Sequence, residues 1–152
     1  MGIAADTMKI AEILVIEDND DHRELVGEAF EDAGLTNPVQ MAATAKDARS
    51  YLARCAEREG ANGDGLPCII LLDIQLPDAS GLELLYEIRR NPALTGVPVV
   101  MLTVSDDAET INQAYQSGAN SYLVKPVRFQ DFHRMVGEAG LYWALVNRPY
   151  RP

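Results

Sequence analysis

Four apolar runs, far apart in this chain, each end on a polar residue able to do chemistry. Ile13-Leu14-Val15-Ile16 ends in Glu17-Asp18-Asn19, and Cys68-Ile69-Ile70-Leu71-Leu72 ends in Asp73. Val97-Pro98-Val99-Val100-Met101-Leu102 ends in Thr103, and Ser121-Tyr122-Leu123-Val124 ends in Lys125-Pro126. Short, unbroken runs rich in Val, Ile and Leu are expected of strands buried on both faces of a parallel sheet. In an open α/β sheet a site lies just beyond the carboxyl ends of the strands, near the point where strand order reverses. Carboxylates from Glu17, Asp18 and Asp73, the Thr103 hydroxyl and the Lys125 ammonium would then gather in one pocket. Carboxylate oxygens suit a hard divalent cation, while a hydroxyl and an ammonium suit phosphoryl oxygens. Each residue alone has a blander role: Glu17 or Asp18 as a helix cap, Asp73 in an Asx turn, Thr103 and Lys125 as ordinary strand-end residues. Their joint placement carries the inference.

Helical patterns separate the runs. Leu25, Val26, Ala29 and Phe30 form an apolar stripe after Asn19-Asp20, ended by Gly34. A short strand is expected around residues 39–43. Thr44, with Asp47 three residues on, reads as the N-cap of a helix over residues 45–58. A Gly-rich loop follows at residues 59–65. Ser80 and Glu83 make a capping box for a helix over residues 81–90, stopped by Asn91-Pro92. Asp106 and Glu109 are expected to do the same for a helix reaching Gln116, with Gly118 as its left-handed stop. A last helix is expected from about Phe129 to Val146. Five βα units with right-handed crossovers predict a flavodoxin-like doubly wound (βα)5 α/β sandwich, with a five-stranded parallel sheet in order 2-1-3-4-5.

The 152 residues fit one domain, and 47 % hydrophobic against 24 % charged residues is the balance of a globular protein. The expected division is a flexible N-terminus (1–12), a domain (13–146) and a tail (147–152), without an output domain. A net charge of −10 with no Lys/Arg cluster argues against nucleic acid and anionic membranes as partners. No apolar stretch approaches the ~20 residues of a membrane span. Residues 1–12 lack the charged and apolar segments of a signal peptide, so the cytoplasm is the expected compartment. Cys55 and Cys68 have no redox or zinc spacing and read as reduced thiols.

Glu17-Asp18, Asp73, Thr103 and Lys125-Pro126, in that order and each at a strand end, resemble the receiver domain of bacterial two-component response regulators. The stretches Ile16-Glu17-Asp18-Asn19, Leu72-Asp73-Ile74-Gln75-Leu76-Pro77 with Gly81, and Tyr122-Leu123-Val124-Lys125-Pro126 match the family's motifs nearly throughout, over roughly residues 13–146. The resemblance implies that Asp73 is the phosphoacceptor and forms an acyl phosphate. It implies Mg²⁺ (or Mn²⁺) held by Asp18, Asp73 and the backbone carbonyl of Gln75, with Glu17 acting through a water. Thr103 and Lys125 would bind phosphoryl oxygens, and Thr103 and Tyr122 would form a switch in which the ring turns inward as the hydroxyl moves. Pro126 becomes a candidate cis-proline. Such a domain is not an enzyme on other substrates; it catalyses only its own phosphorylation and dephosphorylation. Three converging carboxylates are expected to raise at least one pKa. Val104 is bulkier than the small residue the family often has after the threonine, which predicts a longer phosphorylated lifetime.

Two readings from other classes fit less well. An aspartyl-phosphate phosphatase would need a second Asp two residues after the nucleophile, where Gln75 stands. A flavin-binding module would need a Ser/Thr/Gly-rich loop where Glu17-Asp18-Asn19-Asp20 lies. His22 and His133 lack metal-ligand spacing, and His22 reads as a surface or partner-contact residue of the first helix.

In the last helix, Phe129, Phe132, Val136, Ala139, Trp143 and Val146 follow a 3-4-3-4-3 spacing, with Met135, Leu141, Tyr142 and Leu145 outside that seam. Apolar on more than one side, such a helix predicts a homodimer through the last helix and tail, with Phe132, Tyr142, Trp143 and Leu145 at the interface. The Tyr-Trp helix and Pro-rich tail are similar to the stand-alone response regulators of bacterial and cyanobacterial phytochromes. That similarity implies a sensor histidine kinase of the bacteriophytochrome kind as the phosphohistidine donor.

Overall fold

The computed structural model describes residues 10–58 and 65–148. Most of the expected N-terminal segment, the Gly-rich loop and the end of the tail lie outside the described residues. The elements are β1 (Ile13–Ile16), α1 (Asp20–Asp32), β2 (Val39–Ala42), α2 (Ala45–Arg58), β3 (Ile69–Leu72), α3 (Gly81–Arg90), β4 (Val99–Thr103), α4 (Ala108–Gln116), β5 (Ser121–Val124) and α5 (Phe129–Leu141). The five strands pair in parallel in the order β2-β1-β3-β4-β5, as expected.

The pleat explains why the central runs are apolar throughout. Successive side chains leave a strand on opposite faces, so alternate residues enter different core layers. Leu14, Ile16, Ile70, Leu72, Val99 and Met101 face α2, α3 and α4. Ile13, Val15, Ile69, Leu71, Val100 and Leu102 face α1 and α5. All residues of β1, β3 and β4 are buried, while β2 and β5, at the sheet edges, are partly exposed.

Local capping matches the expected chemistry at most helix starts. Asn19 Oδ1 accepts from the His22 N–H, Thr44 Oγ1 from Asp47 and Ser80 Oγ from Leu82. At α4 the cap is Asp107 rather than Asp106: its carboxylate accepts from the N–H and hydroxyl of Thr110. Neighbouring acids are equivalent in composition, and the chain's approach to the helix selects between them. Gly118, at φ +105°, makes the expected left-handed stop, which costs an L side chain but not glycine.

The last helix departs from an uninterrupted seam. Phe132 and Val136 are buried against the sheet, and Gly137 and Gly140 bring α5 close to α1; a β-carbon on Gly140 would stand 2.7 Å from Phe30 Cε1. Beyond Leu141 the backbone widens into a π-helical turn, Tyr142–Val146. A π turn adds a residue to the helical repeat and rotates the residues beyond it about the axis. Trp143 and Ala144 therefore pack on the core, whereas Tyr142, Leu145 and Val146 are exposed. Phe132, expected at a dimer interface, is only 4 % exposed and belongs to the domain's own core. The Lys125–Pro126 peptide is trans, since no peptide bond among the described residues is cis. Proline narrows the trans preference of the preceding bond without reversing it, and this turn forms without the cis isomer.

Candidate functional site

Backbone pairing brings the polar strand ends together. The Glu17 N–H donates to the Ala42 carbonyl (2.9 Å), Asp73 to Ile16 (3.0 Å) and Lys125 to Thr103 (2.7 Å), so pairing continues one residue past the strands and holds these positions at one edge. Among the described residues, the buried polar or charged ones are Glu17, Asp73, Thr103 and Lys125.

The Lys125 Nζ donates to Asp73 Oδ2 at 2.8 Å and also to Glu17 Oε1. Each of Glu17, Asp18 and Asp73 offers a carboxylate oxygen within 4.8 Å of the others; Asp18 is the exposed member. This oxygen set has the charge and hardness that a Mg²⁺- or Mn²⁺-sized cation requires. Burial raises the Glu17 carboxyl to about 7; the Lys125 hydrogen bond opposes that rise and the Asp73 charge adds to it. The predicted pKa elevation is thus present, with desolvation ahead of carboxylate repulsion as its cause.

Thr103 Oγ1 is buried and has no hydrogen-bond partner among the described residues. Buried hydroxyls are rarely left unpaired, and this one stands at the end of β4, between the strands carrying Asp73 and Lys125. A phosphoryl oxygen would supply the missing acceptor. Tyr122 packs against the core, and its hydroxyl donates to the Ser105 carbonyl at 2.8 Å, tying β5 to the loop after Thr103.

The Asp73 loop is closed tightly. Asp73 Oδ1 accepts from the Gln75 N–H at 3.1 Å, an Asx turn built from the acceptor residue itself. Gly81 donates to the Ile74 carbonyl at 2.7 Å, and Gln75 pairs with Ser80 across the loop.

Three site residues carry roles that their sequence context does not announce. His22 Nδ1 lies 2.9 Å from Lys125 Nζ and 3.6 Å from Glu17 Oε1, with its ring centroid 5.7 Å from that of Phe132. Burial, then the Lys125 charge, lower its pKa. Arg23 donates to the Glu17 carbonyl at 2.6 Å and pairs with Asp20. Asp78, in the loop after Asp73, accepts from the N–H groups of Ala45 (2.8 Å) and Lys46 (2.9 Å), so it caps α2 from another segment. Those two N–H groups hold its carboxyl below the usual range. The signal for His22 was its place as third residue after the Asn19 cap, because helical side chains lean toward the N-terminus. Of the expected interface residues, Tyr142 and Leu145 are exposed and Trp143 is partly buried, all distant in sequence from the strand ends.

Comparison with known proteins places this geometry. The chain is 40 % identical over 140 residues to the probable methanogenesis regulatory protein FilR2 of Methanothrix harundinacea, covering 92 % of this chain and 88 % of that one. It is 31 % identical to response regulator Rcp1 of Synechocystis sp., covering 86 % and 87 % of the two chains. The crystal structure of the Mn²⁺-bound form of Rcp1 superposes with a TM-score of 0.80, covering 93 % of this chain and 99 % of that one, at 28 % identity. The phosphorylated cyanobacterial phytochrome response regulator RcpA superposes with a TM-score of 0.81 at 27 % identity, covering 94 % and 100 %. The response regulator receiver domain family matches residues 13–137, a span that takes in every strand-end residue of the site; the chain belongs to that family.

Proposed function

We propose that this chain is a response regulator that takes a phosphoryl group onto Asp73 from the phosphohistidine of a sensor histidine kinase. The observation that carries the reading is the Lys125 ammonium on Asp73 Oδ2 beside a buried, unpartnered Thr103 hydroxyl. An Asp73 carboxylate oxygen attacks phosphorus, the donor's P–N bond breaks, and its electron pair leaves with the donor imidazole, giving an acyl phosphate. Lys125 shifts its N–H to a phosphoryl oxygen, and Thr103 donates its hydroxyl to another. Asp18, Asp73 and the Gln75 carbonyl would hold Mg²⁺ or Mn²⁺, with Glu17 acting through a water. When bound, the ion supplies positive charge against the phosphoryl oxygens. Movement of Thr103 toward that group is read out by Tyr122, which already spans to Ser105. The chemistry stays on the protein itself, so the domain (13–146) acts as a phosphoacceptor rather than an enzyme on other substrates.

Likeness to RcpA and Rcp1 supports a phytochrome-class kinase as the donor, and the exposed Tyr142 and Leu145 beside Trp143 support output by self-association through the end of the last helix and the tail (147–152). No helix among the described residues is long and apolar enough to cross a membrane.

Incubation with acetyl phosphate and Mg²⁺, read by intact mass, is the test. The wild type is expected to gain one phosphoryl group, and Asp73→Asn none, because an amide cannot form the acyl phosphate. Equal labelling of the Asn variant overturns the assignment.

A further inference from the structure

His22 belongs to no strand end, yet it completes the surroundings of Lys125. An ammonium has three N–H donors and no acceptor. Here all find partners: Asp73 Oδ2 at 2.8 Å, Glu17 Oε1, and His22 Nδ1 at 2.9 Å. Since Lys125 can only donate, His22 Nδ1 carries the lone pair, and the imidazole is neutral with its proton on Nε2.

The placement is built from both sides. Asn19 Oδ1 fixes the His22 N–H at 3.1 Å, in the first turn of α1. From there the side chain leans back over the strand ends. Phe132 of α5 stands against the ring, and Arg23 on the same turn holds the Glu17 carbonyl. His22, on α1, is therefore backed by Phe132 of α5, with one nitrogen at the ammonium.

Resting on Asp73 as phosphoacceptor, we propose that His22 is a positioning residue for phosphoryl transfer: by accepting one Lys125 N–H it aims another at the oxygen the phosphoryl group will occupy. Lysine is a point charge on a flexible stem, with freely rotating donors. With Glu17 as its only fixed anchor the ammonium would pivot around that carboxylate. With Glu17 and His22 both fixed, the remaining N–H points at Asp73. On transfer that N–H passes from Asp73 to a phosphoryl oxygen while both anchors stay in place. Small displacements of a charge-neutralising group cost large factors in rate.

The test compares His22→Leu, which keeps bulk and removes the acceptor, with His22→Asn, which restores an acceptor oxygen. Single-turnover labelling by saturating acetyl phosphate with Mg²⁺ is expected to slow about tenfold in the Leu variant, the scale of a hydrogen bond to a charged group. The Asn variant is expected to recover most of the rate, with Mg²⁺ affinity measured without phosphodonor unchanged in both. Nitrogen-15 NMR of the wild type should find Nδ1 of His22 unprotonated. Wild-type labelling by the Leu variant, Asn and Leu variants equally slow, or a proton on Nδ1 overturns the proposal while leaving the phosphoacceptor reading intact. A wild type that never labels at Asp73 overturns that reading, and the positioning role with it.

Discussion

The start of α3 rests directly on the backbone of Asp73: a β-carbon added to Gly81 would stand 2.1 Å from the Asp73 carbonyl oxygen and 2.8 Å from Ile74 Cα. The atoms in the way are backbone, which cannot rotate aside, and the Gly81 N–H is already committed to Ile74. Gly81→Ala must separate the helix from the loop that presents the phosphoacceptor. The expected cost is about 3 kcal/mol in urea unfolding, the range of severe overpacking, with slower labelling of whatever remains folded. Gly27 is the control. Its β-carbon would meet only Met41 Cε at 3.9 Å, so alanine in that helix interior should stabilise by up to about 1 kcal/mol. A Gly81→Ala protein as stable as the wild type would contradict the geometry.

Glu17 makes metal-free stability depend on pH. Its carboxyl ionises near 4.5 when unfolded and at about 7 in the fold. Between those values the folded state holds a proton that the unfolded chain has lost. Stability from this group is therefore full below 4.5 and declines as pH rises to about 7, above which the penalty is constant. Glu17→Gln cannot ionise. Its melting temperature should gain on the wild type from about pH 5 to about pH 7.5 in metal-free buffer. Millimolar Mg²⁺ should narrow the gap, because the ion favours the ionised wild-type cluster. A gap that stays constant across this window would show that Glu17 ionises normally.

Asp78 ties the Asp73 loop to α2 through two N–H groups. Asp78→Ala should lower the melting temperature at neutral pH, and Asp78→Asn, which keeps one acceptor oxygen, should lower it less. Amide exchange at Ala45 and Lys46 checks the mechanism: both should exchange faster in the alanine variant. Unchanged protection at those two positions would mean that Thr44 alone caps the helix.

How legible each part was depended on the range of the interaction that decides it. Strands β1, β3 and β4 were readable because burial on both faces leaves no polar residue inside the run, and the residues terminating them named the site. Thr44 and Ser80 were readable because a cap acts within three residues. Asp78 was not, since its partners lie more than thirty residues away. His22 reads as a surface residue because its place after the Asn19 cap aims it toward the strand ends without naming its partner, Lys125, 103 positions on. The apolar spacing through Val146 concealed the π turn, because a 3-4 pattern assumes the regular repeat that the turn breaks. Phe132 reads as an interface residue in sequence because apolar spacing marks a face to be covered without saying what covers it.

With Phe132 inside the domain's own core, the expected dimer surface narrows to the end of the last helix. Tyr142, Leu145 and Val146 are 50 %, 60 % and 63 % exposed at the end of the last helix. Tyr142 stands edge-on to Trp143, with centroids 5.1 Å apart at 83°, and Trp143 packs on the core. Tyr142 therefore rests on an anchored aromatic, as a central contact requires. Leu145→Glu should weaken self-association by ~2 kcal/mol or more while leaving monomer stability nearly unchanged, since the side chain is already in water. Trp143→Ala should lower both, because it also removes core packing. Sedimentation at micromolar concentration, before and after acetyl phosphate treatment, separates the two effects. A wild type that sediments as a monomer in both states would leave this patch to a partner protein, and Leu145→Glu should then slow phosphotransfer from the kinase without affecting labelling by acetyl phosphate.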